Sequence, residues 1–143
     1  MNTESEIFKA RNGLRVHAIF MIGFLVIQYT LGMVTNLFVQ FPDTNQPDQL
    51  WAFARTQFSI IAHIVIGTLL LVGAIVFVIR AVRQNSRLWI VSSVVGLIGI
   101  IAAMLGGTQF VTFQVDAYSL VMALATIVAF LAYGWGLYAT RTS

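Results

Sequence analysis

The stretch that decides the fold occupies residues 57–80 and reads QFSIIAHIVIGTLLLVGAIVFVIR. Between Ile60 and Ile79 it carries no formal charge. A helix of this length, at about 1.5 Å per residue, spans the roughly 30 Å hydrocarbon core of a bilayer. Only helices and closed barrels cross lipid, because every backbone polar group needs an internal partner. The run does not alternate as a barrel strand does, so it predicts a transmembrane helix with one internal ionisable residue, His63.

The composition is that of a membrane protein. The chain has 143 residues, of which 59% are hydrophobic and 9% are charged, whereas a soluble domain carries about 25% charged residues. The length fits a single membrane domain, 1–143. There is no cysteine, which excludes disulfides and thiol chemistry. The net charge of +3 indicates anchoring at one membrane face, so the lipid bilayer is an expected partner and nucleic acid is not.

The sequence predicts four spans after a polar N-terminal segment, 1–14. We place them at about 15–40, 51–79, 88–113 and 117–138. Pro, Asp and Asn residues mark the loop after the first span, as is typical of turns. Short connections between successive spans favour antiparallel neighbours. The expected fold class is therefore an all-α membrane protein, an antiparallel four-transmembrane-helix bundle.

The basic residues predict the orientation. Seven Lys and Arg residues fall on one side of the membrane, and only Arg55 falls on the other. Such an excess of basic residues marks the cytoplasmic face. We therefore expect both termini in the cytoplasm, and the prokaryotic plasma membrane as the location. The seven are Lys9, Arg11, Arg15, Arg80, Arg83, Arg87 and Arg141.

Small residues recur on the third span at three- and four-residue steps. Such a face lets helix backbones approach closely in lipid, so it predicts tight packing, with Ile100 facing lipid instead. Polar and small residues on the first two spans are also expected to point inward. The three faces are Gly96, Gly99, Ala103 and Gly106; Ser59, His63, Gly67 and Ala74; and Gln28, Gly32 and Asn36.

The two histidines are the first candidates for chemistry. At 1.5 Å per residue they lie roughly 20 Å apart in depth, so they cannot ligate one haem within a chain. His17 is expected near the cytoplasmic surface among basic neighbours. His63 is either a neutral imidazole hydrogen-bonded to a neighbouring helix or a ligand of haem iron.

Three methionines are expected at the depth of His63: Met33, Met104 and Met122. Met and His form a known haem axial pair, but Met also fills irregular gaps in a core. Gln28, together with Asn36, Gln57 and Gln109, lines a small polar cavity in the outer half or bridges helices. No carboxylate falls within a span, which favours a non-enzymatic role.

The order of these features resembles one four-helix half of the haem A synthase family. The first span has Gln28 followed by Leu31-Gly32, and Phe41-Pro42 stands in the next loop. The third ends Leu105-Gly106-Gly107-Thr108, which is similar to the family's Leu-Gly-Gly/Ala…Thr pattern. The resemblance covers about residues 15–138. It implies that His63 is a haem ligand and that haem b is a possible cofactor. The depth of Met104, and not the resemblance, makes it a candidate second ligand.

Three positions depart from the family pattern. Ile64 follows His63 where the family typically has Arg. A catalytic Glu is expected a turn before His63, but Gln57, Ser59 and Ile60 stand there. Tyr118 and Ser119 occupy the region of the second His ligand. Haem binding would therefore depend on His63 without a second histidine.

Three functions follow as hypotheses. The first is a non-catalytic structural or accessory membrane subunit, in a larger membrane complex or a homo-oligomer. The second is a b-type haem-binding, haem A synthase-like protein that uses His63. The third is a small oligomeric transporter or channel, which the lack of charged residues within the spans disfavours.

Overall fold

The computed structural model describes residues 3–140, with side chains from residue 12 onward. All regular structure in this part of the chain is helical, as predicted. The five helices are α1 Thr3–Phe38, α2 Pro47–Ala54, α3 Phe58–Arg83, α4 Arg87–Phe113 and α5 Asp116–Ala139.

Four segments are long and apolar enough to cross a membrane: Asn12–Phe38, Phe58–Arg83, Arg87–Phe113 and Asp116–Ala139. Large apolar side chains cover their outward surfaces, and Phe20, Leu69 and Leu131 are each more than half exposed. An apolar surface of this extent fits lipid rather than water. The chain is therefore an integral membrane protein with four spans.

The predicted second span, 51–79, contains a break that the sequence analysis did not place. Residues 55–57 separate α2 from α3, and Gln57 has an extended backbone. The Thr56 hydroxyl donates to the carbonyl of Phe53 at 2.7 Å. A local side-chain bond of this kind competes with helix continuation, so Trp51 belongs to a separate short helix and the span begins at Phe58.

The N-terminal boundary also differs from the expectation. A continuous helix, α1, runs through the predicted junction between segment 1–14 and the first span. The side chains of Lys9 and Arg11, on which part of the orientation argument depends, lie outside the described residues. The same holds for Arg141.

Two left-handed residues make the short connections. Asn85, with φ 49°, joins α3 to α4, and Gln114, with φ 53°, joins α4 to α5. Asn tolerates this conformation well. Gln114 compensates by capping, because its side-chain amide donates to the carbonyls of Phe110 and Val111 at 3.2 and 3.1 Å.

The glycine face of α4 is tightly packed, as the sequence predicted, and the structure shows that its partner is α5. A Cβ added at Gly99 would lie 2.8 Å from the carbonyl oxygen of Ala125, and one at Gly106 would lie 3.0 Å from the amide nitrogen of Met122. The Tyr133 ring lies directly over Gly96. Backbones approach this closely only where side chains are absent.

The remaining long helices complete the packing. Helix α1 contacts α3 and α5, and α3 also contacts α4. Because α4 packs against both α3 and α5, its buried surface is wider than the glycine face alone. Ile100, expected to face lipid, is 4% exposed; that expectation is wrong, because the residue turns toward the interior beside Gly99.

Aromatic rings fill one end of the interior. The rings of Phe77 and Tyr133 have centroids 5.5 Å apart, and those of Phe77 and Trp89 are 5.6 Å apart. His17 stacks on Phe77 at 4.6 Å. This end combines the N-terminal halves of α1 and α4 with the C-terminal halves of α3 and α5.

The glycine contact gives a matched test. Gly99→Ala puts a Cβ against the α5 backbone, and overpacking of this kind costs about 1–3 kcal/mol. At Gly134 nothing lies within 4 Å of an added Cβ, so Gly134→Ala should be neutral or slightly stabilising through helix propensity. Thermal unfolding in detergent should show a lower Tm for the Gly99 variant alone; equal Tm values would contradict the assigned contact.

Candidate functional site

A cavity of about 250 Å³ lies among the four long helices at the end opposite the aromatic rings. We call it the central cavity. It is lined by the later halves of α1 and α4 and by the first halves of α3 and α5. Its lining includes the small residues Gly32, Gly67, Ala103 and Gly107.

The connection between α1 and α3 contributes to the cavity wall. Phe41 and Trp51 both line the cavity. The Trp51 indole nitrogen donates to the Thr112 hydroxyl at 3.2 Å, and the Phe41 ring meets that of Phe110 edge-on, with centroids 6.1 Å apart. The break between α2 and α3 thus lets a short helix fold back onto α4.

His63 lies in the cavity wall on α3. Its ring packs against α1 at Gly32, where an added Cβ would be 3.0 Å from Cε1. Nδ1 of His63 is buried and has no hydrogen-bond partner among the described residues. The ring lies against α1, the neighbouring helix, and the hypothesis of an imidazole hydrogen-bonded to that helix stays a prediction.

Gln28 joins α1 to α3 through its amide. Its Nε2 atom donates to the backbone carbonyl of His63 at 3.0 Å, and the same atom lies over Gly67. The amide oxygen, Oε1, is buried without a partner in the described part of the chain. The bridging and cavity-lining roles that were alternatives for this residue therefore coexist.

A third unpaired polar atom is the Thr35 hydroxyl. Other threonines of the spans differ, since Thr68 and Thr126 donate to carbonyls of their own helices at 2.9 and 2.8 Å. Buried polar atoms without partners cost about 1–3 kcal/mol each. Gln28, Thr35 and His63 all line the central cavity, but these three atoms are themselves fully buried, so they lie behind the surface that a molecule in the cavity would contact.

The three candidate methionines line the central cavity together with His63. They are Met33 on α1, Met104 on α4 and Met122 on α5. The three methionines that the sequence places at the depth of His63 therefore share a cavity with it. Their flexible thioethers give the wall an adaptable apolar surface.

His17 lies at the other end of the molecule. Its Nδ1 is 3.1 Å from a guanidinium nitrogen of Arg80, and its ring stacks on Phe77. It does not line the central cavity. The structure therefore separates the two histidines, and His17 has a basic neighbour as expected.

Of the other three polar candidates, Asn36, Gln57 and Gln109, one lines the central cavity. Asn36 lines the cavity, whereas the Gln57 amide donates to the Thr56 hydroxyl at 3.3 Å and Gln109 is exposed. Sequence reasoning missed Thr35. Its signal was present, because residues 28, 32 and 35 follow the spacing of one helix face.

The chemistry of this wall suits a neutral molecule. None of the described side chains that line it is an Asp, Glu, Lys or Arg, and an unpaired charge in such a space would be costly. No family model, no curated protein and no solved structure matches this chain.

Proposed function

We propose that this membrane protein is an antiparallel four-helix bundle with both termini cytoplasmic, and that it binds a small neutral ligand in the central cavity. The observation that carries the proposal is a cavity of about 250 Å³ among the helices, whose largely apolar wall includes the polar residues Gln28, Thr35 and His63. A largely apolar pocket with a few convergent polar groups is the usual form of a small-molecule site.

The orientation is supported by the arginines. Arg15 lies early in α1, Arg83 ends α3 and Arg87 begins α4, which places them at the aromatic end. Arg55 lies in the break between α2 and α3, near the cavity end. By the positive-inside rule the aromatic end is cytoplasmic and the cavity lies in the outer half of the bilayer.

Reporter fusions test this topology. Fusions after Ser143 and between Arg83 and Arg87 should report the cytoplasm, and a fusion between Asp43 and Asp48 should report the outside. Activity of an externally active reporter at the C-terminal fusion would contradict the proposed orientation.

The size of the cavity favours a ligand smaller than most drug-like molecules. Pockets for such molecules span about 300–1,000 Å³, and an apolar cavity of about 150 Å³ holds benzene. A substituted six-membered ring therefore suits 250 Å³. The accessory-subunit role, the larger complex and the homo-oligomer remain predictions from the sequence, as does the transporter or channel alternative.

A small fluorinated phenol tests the cavity directly. We expect fluorine NMR of para-fluorophenol to show saturable line broadening with the purified wild-type protein. Ala103→Phe and Ala123→Phe fill the cavity from α4 and α5, so each should abolish the saturable component. Ala117→Phe is the matched control, because Ala117 is exposed and does not line the cavity.

Folding of each variant is checked by circular dichroism and size-exclusion chromatography. Equal broadening by the wild type and by both filling variants would place the phenol in the micelle and contradict the cavity site. No saturable binding to folded wild-type protein would contradict it as well.

The haem alternative rests on His63 and Met104, which line one cavity. Three features fit a porphyrin poorly. The volume is below the usual range for larger ligands, no described cation lines the cavity to pair with the haem carboxylates, and the His63 ring leans against Gly32.

An absorption spectrum decides between haem and a smaller ligand. Purified protein, expressed with added haem precursor, should show no Soret band under the main proposal. Under the alternative, a Soret band appears, His63→Ala abolishes it, and His17→Ala leaves it unchanged. Met104→Ala should then shift the spectrum toward a five-coordinate form.

A further inference from the structure

Basic side chains gather at the aromatic end of the bundle, away from the central cavity. The described arginines there are Arg15, Arg80, Arg83 and Arg87. The described acidic residues all lie at the cavity end, and they are Asp43, Asp48 and Asp116. Glu4 and Glu6, near the start of α1, have side chains outside the described part of the chain. The described surface of the aromatic end is therefore positive and complementary to an anionic partner.

The guanidinium of Arg80 is held in the seam between α3 and α1. One of its terminal nitrogens is 3.1 Å from Nδ1 of His17, and the His17 ring is itself stacked on Phe77. The other terminal nitrogen lies over Gly13, where an added Cβ would be 2.8 Å away. Because Gly13 has no side chain, the guanidinium fits against α1 at a defined position.

The contact with His17 leaves the positive charge of Arg80 in place. A guanidinium only donates hydrogen bonds, so Nδ1 of His17 accepts, and an imidazole that accepts at one nitrogen is neutral. The guanidinium has five N–H donors in a planar fork, and the His17 contact uses one of them. The remaining donors suit phosphate oxygens, which such a fork binds through two parallel hydrogen bonds.

Arg80 lies at the depth of the lipid headgroups. The uncharged run Ile60–Ile79 is about as long as the hydrocarbon core is thick, at about 1.5 Å per residue and roughly 30 Å, and Arg80 follows it directly. On α5, Trp135 and Tyr138 are exposed at the same end, as is typical of the membrane–water interface. Arg83, which is exposed, lies about one helical turn beyond Arg80 and adds a second positive charge.

Aliphatic side chains border the site on the side of the bilayer middle. Val76, about one helical turn before Arg80 on α3, is 43% exposed, and Val16, beside His17 on α1, is 51% exposed. A fixed cation next to exposed aliphatic side chains matches a phospholipid, in which a phosphate and acyl chains belong to one molecule. A free phosphate or an acidic peptide would match the cation but not the aliphatic part of the site.

We propose that the seam between α1 and α3 at the aromatic end binds the phosphate of an anionic phospholipid. The Arg80 fork holds the phosphate oxygens, Arg83 adds positive charge, and an acyl chain lies along Val16 and Val76. His17 positions the fork by accepting one of its hydrogen bonds. Basic sites between transmembrane helices are a general means of recognising anionic headgroups. This site is separate from the central cavity and does not depend on the function proposed for it.

Native mass spectrometry of the full chain in detergent tests the proposal, with phosphatidylglycerol as the added lipid. We expect the wild type to retain one phosphatidylglycerol in preference to phosphatidylcholine with the same acyl chains. Arg80→Gln removes the fork and should weaken this binding by about tenfold or more, because charge-assisted hydrogen bonds are strong. Arg87→Gln is the matched control, since it removes the same charge from an exposed residue of α4, and it should bind nearly as the wild type does.

A second pair of variants keeps every charge. Gly13→Leu fills the space against α1 that the guanidinium occupies, so it should displace the fork and weaken phosphatidylglycerol binding although Arg80 is still present. Gly23→Leu is its control on the same helix, because nothing lies within 4 Å of a Cβ added at Gly23. Circular dichroism and size-exclusion chromatography check that each variant is folded.

Three results would overturn the proposal. Equal retention of phosphatidylglycerol and phosphatidylcholine by the wild type would show that the site does not select an anionic lipid. Equal losses in Arg80→Gln and Arg87→Gln would show a general attraction to the basic end and not a site in the α1–α3 seam. Release of the lipid by added inorganic phosphate would show a site for free anions and not for a phospholipid.

Discussion

The close contact between α4 and α5 is the constraint on which the rest of the structure depends. At Gly99 the backbone of α4 faces the carbonyl of Ala125 and the amide of Ala129 without an intervening side chain. In lipid there is no hydrophobic force between helices, so association depends on such packing. The two-residue connection at Gln114 fixes the two helices in register. With α4 and α5 joined in this way, Tyr133 comes to lie over Gly96, and the remaining helices pack around the pair.

The interior that results differs between its two ends because side-chain volume is distributed unevenly along the spans. At one end the rings of Phe77, Trp89 and Tyr133 are in contact and exclude other molecules. At the other end the cavity is lined in part by small residues, among them Ala103 and Gly107, and no cluster of rings fills it. Well-packed membrane proteins tolerate few voids. A cavity confined to one end is therefore a feature of the sequence pattern, not of loose assembly.

The number of spans, the helical class and the glycine face of α4 could be predicted because each depends on local composition or on helix periodicity. The break before Phe58 could not, because its cause is a hydrogen bond from Thr56 and a tertiary contact of Trp51 with Thr112. Periodicity also misplaced Ile100, since one helix face cannot reveal that α4 has two neighbours. For the site, depth arithmetic grouped His63 with the three methionines. It could not show which polar atoms lack partners, because that depends on the directions of individual side chains.

A fourth unpaired atom, the Tyr133 hydroxyl, shows why the three cavity atoms carry a different meaning. The Tyr133 ring presses against Gly96 in the aromatic end, where the hydroxyl itself lies 2.7 Å from a Cβ added at that glycine, and the residue lines neither cavity. Its missing partner is a cost of tight aromatic packing. Gln28, Thr35 and His63 instead border a space that can hold a molecule. Thr126, which also lines this space, donates to a carbonyl of its own helix, so the unpaired atoms of the other three residues mark the part of the interior where the helices leave a gap.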